Sequence, residues 1–244
     1  MNKNSDEFLA SFSSIEKWMK EANGDDRHIS FFQLIENLSA RNKIVHRYRN
    51  DLKELGDLRN AIVHERTDGH VIAEPNQRAV EDIKRIEFTM RNPPLVLPMF
   101  KLNVRSRLAH ESIGDAVCDM RNGSFSQLPI LSDKNMLSAL LTTETISRWL
   151  AHEMSNEVVS LWETKIETVL PHAESTDHYC MLSRSATLFD VLAKFEDFTS
   201  RGKDLDAALI TDSGKKDQKL LGIITVYDLP RILSKIGMKK LSSI

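Results

Sequence analysis

The 244 residues contain two cysteines, Cys118 and Cys180, with no CxxC and no Cys/His spacing around them. That excludes a disulfide framework and a readable zinc site, so no metal is assigned, and both thiols are expected to be buried small hydrophobes. No apolar run approaches the length of a membrane span. Met1 to Ser14 is polar and acidic and lacks the apolar core of a secretory leader, so a cytoplasmic protein without membrane contact is expected. Charge of one sign is lacking as well. The net charge of −2 excludes a globally basic nucleic-acid binder but leaves room for a local patch. What the chain does have, 41% apolar and 28% charged residues, is enough for a packed soluble core.

Up to Asn92 proline and glycine are scarce: Pro75, Gly24, Gly56 and Gly69 alone break the pattern, and β-branched runs are missing. This half reads as nearly all helix. Ser13 or Ser14 is expected to cap a first helix carrying Ile15, Trp18 and Met19. A second starts near Ser30, with Phe31, Leu34, Ile35 and Leu38 at helical spacing. One long helix is expected from about Asn42 to Arg66 on Val45, Tyr48, Leu52, Leu55, Leu58 and Ile62, ended by Thr67-Asp68-Gly69. A last helix, near Asn76 to Met90, carries Val80, Ile83 and Ile86. Asn92-Pro93-Pro94 stops helical structure and marks a domain boundary.

Beyond Pro94 short apolar strands alternate with helical stretches. Strands are expected at Leu95–Leu97, Ser126–Leu131, Met136–Leu141, His178–Leu182, Asp206–Thr211 and Leu220–Thr225. Helical spacing falls between them, giving a βαββα order that occurs twice. The division expected is residues 1–92, 93–170 and 171–244.

The second repeat runs Ser183-Arg-Ser-Ala-Thr-Leu-Phe-Asp190, then Ala207-Ala-Leu-Ile-Thr-Asp212, then Leu221-Gly-Ile-Ile-Thr-Val-Tyr-Asp228. This succession resembles the CBS domain family, and His110-Glu-Ser-Ile-Gly-Asp-Ala-Val and Ser126-Gln-Leu-Pro129-Ile-Leu place the first repeat in the same frame. The resemblance implies a tandem CBS pair that binds an adenine nucleotide (AMP, ADP or ATP) as a regulatory ligand, with no cofactor required. In the closing motif Gly222 leaves room for a ligand or a neighbouring strand to approach. Thr225, where strand becomes helix, can hold a phosphate with its hydroxyl and the free N–H groups after it. Asp228 can accept ribose hydroxyls. By position in the family, Leu182, Ala207, Leu209 and Ile224 would wall the adenine. Thr225 and Asp228 are equally an ordinary helix-capping pair. In the first repeat Ala139 replaces the glycine and Thr145 the ribose-binding Asp, so one intact and one degraded site are expected.

In the helical half, Leu58-Arg59-Asn60-Ala-Ile-Val-His64-Glu-Arg resembles the Arg-x4–6-His motif of the HEPN superfamily, many of whose members are metal-independent endoribonucleases. The resemblance implies Arg59, Asn60 and His64 as catalytic residues, with His64 taking a proton from a ribose hydroxyl and Arg59 steadying the phosphate. It also implies a homodimer and RNA as substrate. The same residues can instead make hydrogen bonds at a helical seam. Arg41-Asn42 to His46 spells the pattern a second time, and one unbroken helix would present both copies on one side. Arg41, Lys43, Arg47 and Arg49 form a basic run that reads as a phosphate-attracting patch or a solvated helix face.

The fold expected is an all-α HEPN-like helical bundle followed by two βαββα CBS repeats. The function expected is an adenine-nucleotide-sensing regulator of an RNA-cleaving helical domain. The alternative is a non-catalytic CBS regulator with a helical dimerisation or partner-binding domain.

Overall fold

The computed structural model describes residues 3–24, 29–64, 66–67, 70–71, 74–100, 104–154, 158–173 and 178–237; the side chains of residues 64, 66, 67, 70 and 71 lie outside that description. The chain divides into two compact units. The first holds Met1–Pro94 together with Leu188–Asp190 and the stretch around Ile236; the second holds the rest.

In the first unit, α1 (Lys3–Asn23) begins ten residues before the expected cap at Ser13. The reason is an apolar stripe that continues backwards from Ile15 and Met19 to Phe12 and Phe8, all buried. It packs against α5 (Gln77–Arg91), whose Val80, Ile83, Ile86 and Met90 are buried in turn. Polar contacts pin the pair along its length: Lys84 meets Glu7 at 2.6 Å, and Arg91 donates to Ser14 Oγ at 2.7 Å. Helix α2 (Phe31–Ser39) starts where expected, on a capping box in which Ser30 and Gln33 satisfy each other's backbone N–H.

The long helix is two. A short α3 (Lys43–Arg47), capped by Asn42, ends at Tyr48, and α4 (Arg49–His64) follows. Tyr48 leaves helical geometry (φ −93°, ψ 13°) with its ring buried and its hydroxyl bonded to the Ile236 carbonyl, so tertiary contacts override local propensity there. Gly56 of α4 lies where α2 comes close, since a Cβ there would stand 3.1–3.3 Å from the rings of Phe31 and Phe32. After α4 the chain is not purely helical. Residues β1 (Arg66–Thr67) and β2 (His70–Val71) pair antiparallel around the Asp-Gly dipeptide, whose two residues lie outside the described ones.

The second unit contains the two repeats. The first is β3 (Arg107–Leu108), α6 (Ile113–Gly123), β4 (Gln127–Leu131), β5 (Leu137–Thr142) and α7 (Thr143–Glu153). A short α8 (Ile166–Val169) lies on the way to the second repeat, β6 (Tyr179–Ser183), α9 (Leu188–Ser200), β7 (Ala207–Thr211), β8 (Gly222–Ile224) and α10 (Leu229–Lys235). The sheets have the same design: first strand parallel to the second, second antiparallel to the third. One face of the first sheet (Leu128, Ile130, Leu141) packs with Ile113, Ala116 and Trp149 of its helices. Its other face (Leu131, Leu137, Leu140) meets Ala207 and Leu209 of β7, so the two repeats share a core between their sheets.

The strand expected at Leu95–Leu97 does not form. Leu95 makes a single bridge to Thr187, and Val96 N–H donates to Ala186 at 2.9 Å, so this stretch is an arm laid on the second repeat. The first strand of repeat one is instead β3, two residues long. The expectation of two buried thiols also needs correcting: Cys118 is exposed, on the outer side of α6, while Cys180 is partly buried in β6.

Candidate functional site

The closing motif of the second repeat sits where β8 ends. Thr225 is extended (φ −119°, ψ 174°), a 3-10 turn runs over Val226–Asp228, and α10 begins at Leu229 with Pro230 in its first turn. Asp228 turns back on Thr225: its Oδ2 accepts the Thr225 N–H at 2.9 Å and the Thr225 hydroxyl at 3.2 Å. Both bonds fall on one carboxylate oxygen. Oδ1 accepts none among the described residues, and the carboxyl is half-buried beside the exposed Val226 and Tyr227. Capping and binding therefore do not exclude each other here. The cap fixes the carboxylate and leaves a second acceptor oxygen in reach of solvent. The Thr225 hydroxyl, one donor the motif offers to a phosphate, is taken up by this cap.

The first repeat has the same turn without the charge. Thr142 caps α7, its Oγ1 accepting the Thr145 N–H at 3.1 Å, and the two hydroxyls stand 3.0 Å apart. Both are buried, at 7% and 2% exposure, so neither of these hydroxyls is presented to solvent. The repeats differ in burial as well as in the residue that replaces Asp.

Gly222 provides room, and in this structure protein fills it. A Cβ there would lie 2.2 Å from the Phe100 carbonyl oxygen and 3.1 Å from Ile210 Cδ1, so the arm that starts at Leu95 crosses the strand at this point. Phe100 is buried, with the Arg231 guanidinium 5.7 Å from its ring centre. Sequence spacing gave no hint of this partner.

The four residues expected as an adenine wall are all buried, but strand register separates them. Met181 pairs with Leu209, and Leu209 with Ile223, so Ala207 and Leu209 share one face of the sheet, the one turned to the first repeat. Leu182 pairs with Ile210 and Ile224 with Ala208, which places both on the opposite face. The sheet does not bring the four together in one slot.

At the far end of β7, Thr211 is fully buried and its hydroxyl has no hydrogen-bond partner among the described residues. Beside it Ser183 shares a bond with Ser185, and Arg184 reaches Asp212 at 3.2 Å. At the near end the His178 ring meets Asp206 at 2.8 Å. Burial pushes the Cys180 thiol up to about 11.

In the helical unit, Arg59 and Asn60 are half-buried neighbours on α4, and Arg59 Nη1 donates to Asn60 Oδ1 at 3.2 Å. The Arg59 guanidinium also lies over the Phe12 ring at 5.9 Å. The His64 side chain lies outside the described residues. The earlier copy of the pattern is divided from this one by the break at Tyr48. Asn42 serves as a helix cap, and the His46 ring meets the Ser39 carbonyl at 3.2 Å. Three residues of the basic run are drawn into pairs: Arg41 to Asn23, Lys43 to Asp190, and Arg49 to Glu36, whose carboxyl Lys53 and Arg49 hold below its usual range. No group of three His, Cys, Asp or Glu among the described residues could hold a metal, and no described helix is long and apolar enough to cross a membrane.

No protein-family model matches the chain, and no curated protein is significantly similar to it. Solved structures are similar over a little more than half its length. One is the CBS domain pair of protein MJ0100 in complex with 5-methylthioadenosine and S-adenosyl-L-methionine: 16% identical, covering 59% of this chain and 98% of that one, TM-score 0.44. Another is CBSX2 in complex with AMP, 16% identical over 55% and 90%, TM-score 0.41. A third is a conserved CBS domain protein of unknown function from Thermoplasma acidophilum, 18% identical over 58% and 73%, TM-score 0.42.

Proposed function

We propose that this protein is an adenine-nucleotide-sensing regulator that binds one nucleotide per chain, with Asp228 as the ribose-binding residue. The observation that carries this is the asymmetry of the two turns. Asp228 is held by Thr225 through one carboxylate oxygen and its other oxygen accepts no bond among the described residues, whereas Thr142 and Thr145 are buried on each other. A fixed carboxylate oxygen accepting a ribose hydroxyl forms a charge-assisted hydrogen bond. Thr225 positions that carboxylate, and Gly222 belongs to the arm's packing more than to the ligand.

The helical unit is the output of this sensor, acting as a dimerisation or partner-binding module. The contacts of Arg59 with Asn60 and with the Phe12 ring favour this role over RNA cleavage. RNA cleavage is read directly by incubating the protein with RNA: metal-independent cleavage that disappears in His64→Ala restores the catalytic reading.

Nucleotide binding is tested by thermal stabilisation with AMP, ADP, ATP and S-adenosylmethionine, since a ligand that binds the folded state raises its stability. At least one of the four raises the melting temperature. A flat response to all of them overturns the proposal.

A further inference from the structure

Helix α10 (Leu229–Lys235) has seven residues, and a helix that short is not stable by itself in water. Its two ends are fastened by different parts of the chain. The Thr225–Asp228 box closes the turn that leads into it. Where it ends, Ile236 is buried, and its carbonyl accepts the Tyr48 hydroxyl at 2.8 Å and Arg85 Nη1 at 3.3 Å. Gly237 follows with φ +76°, and a Cβ there would come 2.2 Å from Arg85 Nη1, so the guanidinium takes the room a side chain would need. The Phe189 ring stands edge-on to Tyr48 at 5.9 Å. Burial pushes the Tyr48 phenol up. Tyr48, Arg85 and Ile236 all belong to the helical unit, while Leu229 to Ser234 belong to the unit of the repeats.

We infer that α10 is the element through which occupation of Asp228 is felt at Tyr48 and Arg85. This rests on the nucleotide-binding reading of Asp228. A ligand on Oδ1 steadies the turn that precedes α10. Helix formation is dominated by nucleation, so a helix of two turns frays or holds as one piece, and stability added at its start is shared by the bonds at Ile236. Linkage then runs both ways: the factor by which nucleotide tightens the clamp on Ile236 is the factor by which the intact clamp tightens nucleotide binding.

The test uses the full chain, AMP, calorimetric titration and hydrogen exchange. In the wild type, AMP slows exchange in α10 and also in the segment around Tyr48. Tyr48→Phe keeps the buried ring and removes the donor; it weakens AMP binding by up to about five-fold, the ceiling set by one hydrogen bond, and abolishes the protection around Tyr48. Ile35→Val lowers stability in the same unit away from the clamp and leaves AMP affinity unchanged. If the wild type binds AMP but Tyr48→Phe binds it equally well, or if Ile35→Val weakens it as much, the inference is overturned and the proposed function stands. If AMP does not bind, the titrations are run with whichever of ADP, ATP and S-adenosylmethionine does, and a wild type that binds none of the four overturns the inference at its premise.

Discussion

Replacing Gly222 by alanine tests how the arm and the strand fit together. The new methyl would lie 2.2 Å from the Phe100 carbonyl oxygen, roughly 1 Å inside an ordinary C···O contact. Relief cannot come from a rotamer change, because the obstacle is backbone. That backbone is anchored by the Phe100 N–H bond to Val96 and the Val96 N–H bond to Ala186, each 2.9 Å. Overpacking of this kind costs about 1–3 kcal/mol, and loosening the Val96 bond about 1 more. The expected loss is about 3 kcal/mol, or roughly 6–12 °C in melting temperature for a protein of this size. Urea unfolding followed by circular dichroism reads it. Gly114→Ala is the matched control: its methyl meets Trp162 Cε3 at 2.6 Å, but that side chain is 64% exposed and can swing away. A loss in Gly222→Ala no larger than in Gly114→Ala would mean that the Phe100 backbone gives way as easily as the Trp162 side chain, against this expectation.

Thr211→Val should raise stability by about 1 kcal/mol, because it removes a buried hydroxyl with no partner; a drop of similar size in urea unfolding means the hydroxyl is bonded. With a thiol-reactive chromophore at pH 8, Cys118 should react in the folded state while Cys180, its thiol pushed up to about 11, stays protonated and slow; equal rates contradict this. Arg107 donates to Asp119 at 2.7 Å and holds its carboxyl below the ordinary 3.8. A carboxyl lowered in the folded state adds stability above its unfolded pKa and loses it as pH falls through the folded one. Acid unfolding below about pH 4 should therefore be steeper in the wild type than in Asp119→Asn, and identical slopes would sink the assignment.

Local signals were readable wherever a single segment determines the outcome. Ser30 with Gln33 marks the start of α2, Asn76 the start of α5, and five of the six strands expected after Pro94 fall within a residue or two of those observed. The misses depend on partners distant in sequence. Tyr48 breaks a helix that its periodicity supports because its hydroxyl and ring are held from elsewhere in the chain. Leu95–Leu97 reads as a strand, but the edge it meets is Thr187, and a single bridge results. The proposed adenine wall shows the same limit at the site. Alternation tells that Ala207 and Leu209 share a face, but whether Leu182 joins them depends on the β6–β7 register, which is set by pairing across the sheet. Thr225 and Asp228 lie three residues apart, and their mutual contact was accessible from the sequence as a cap.

The most direct measurement is a calorimetric titration of AMP into the wild type and Asp228→Ala, with Thr145→Val alongside. One site per chain is expected, unchanged in Thr145→Val and weakened roughly 10- to 100-fold in Asp228→Ala, the range for a charge-assisted hydrogen bond. Two sites per chain, or AMP binding that survives intact in Asp228→Ala, would contradict it.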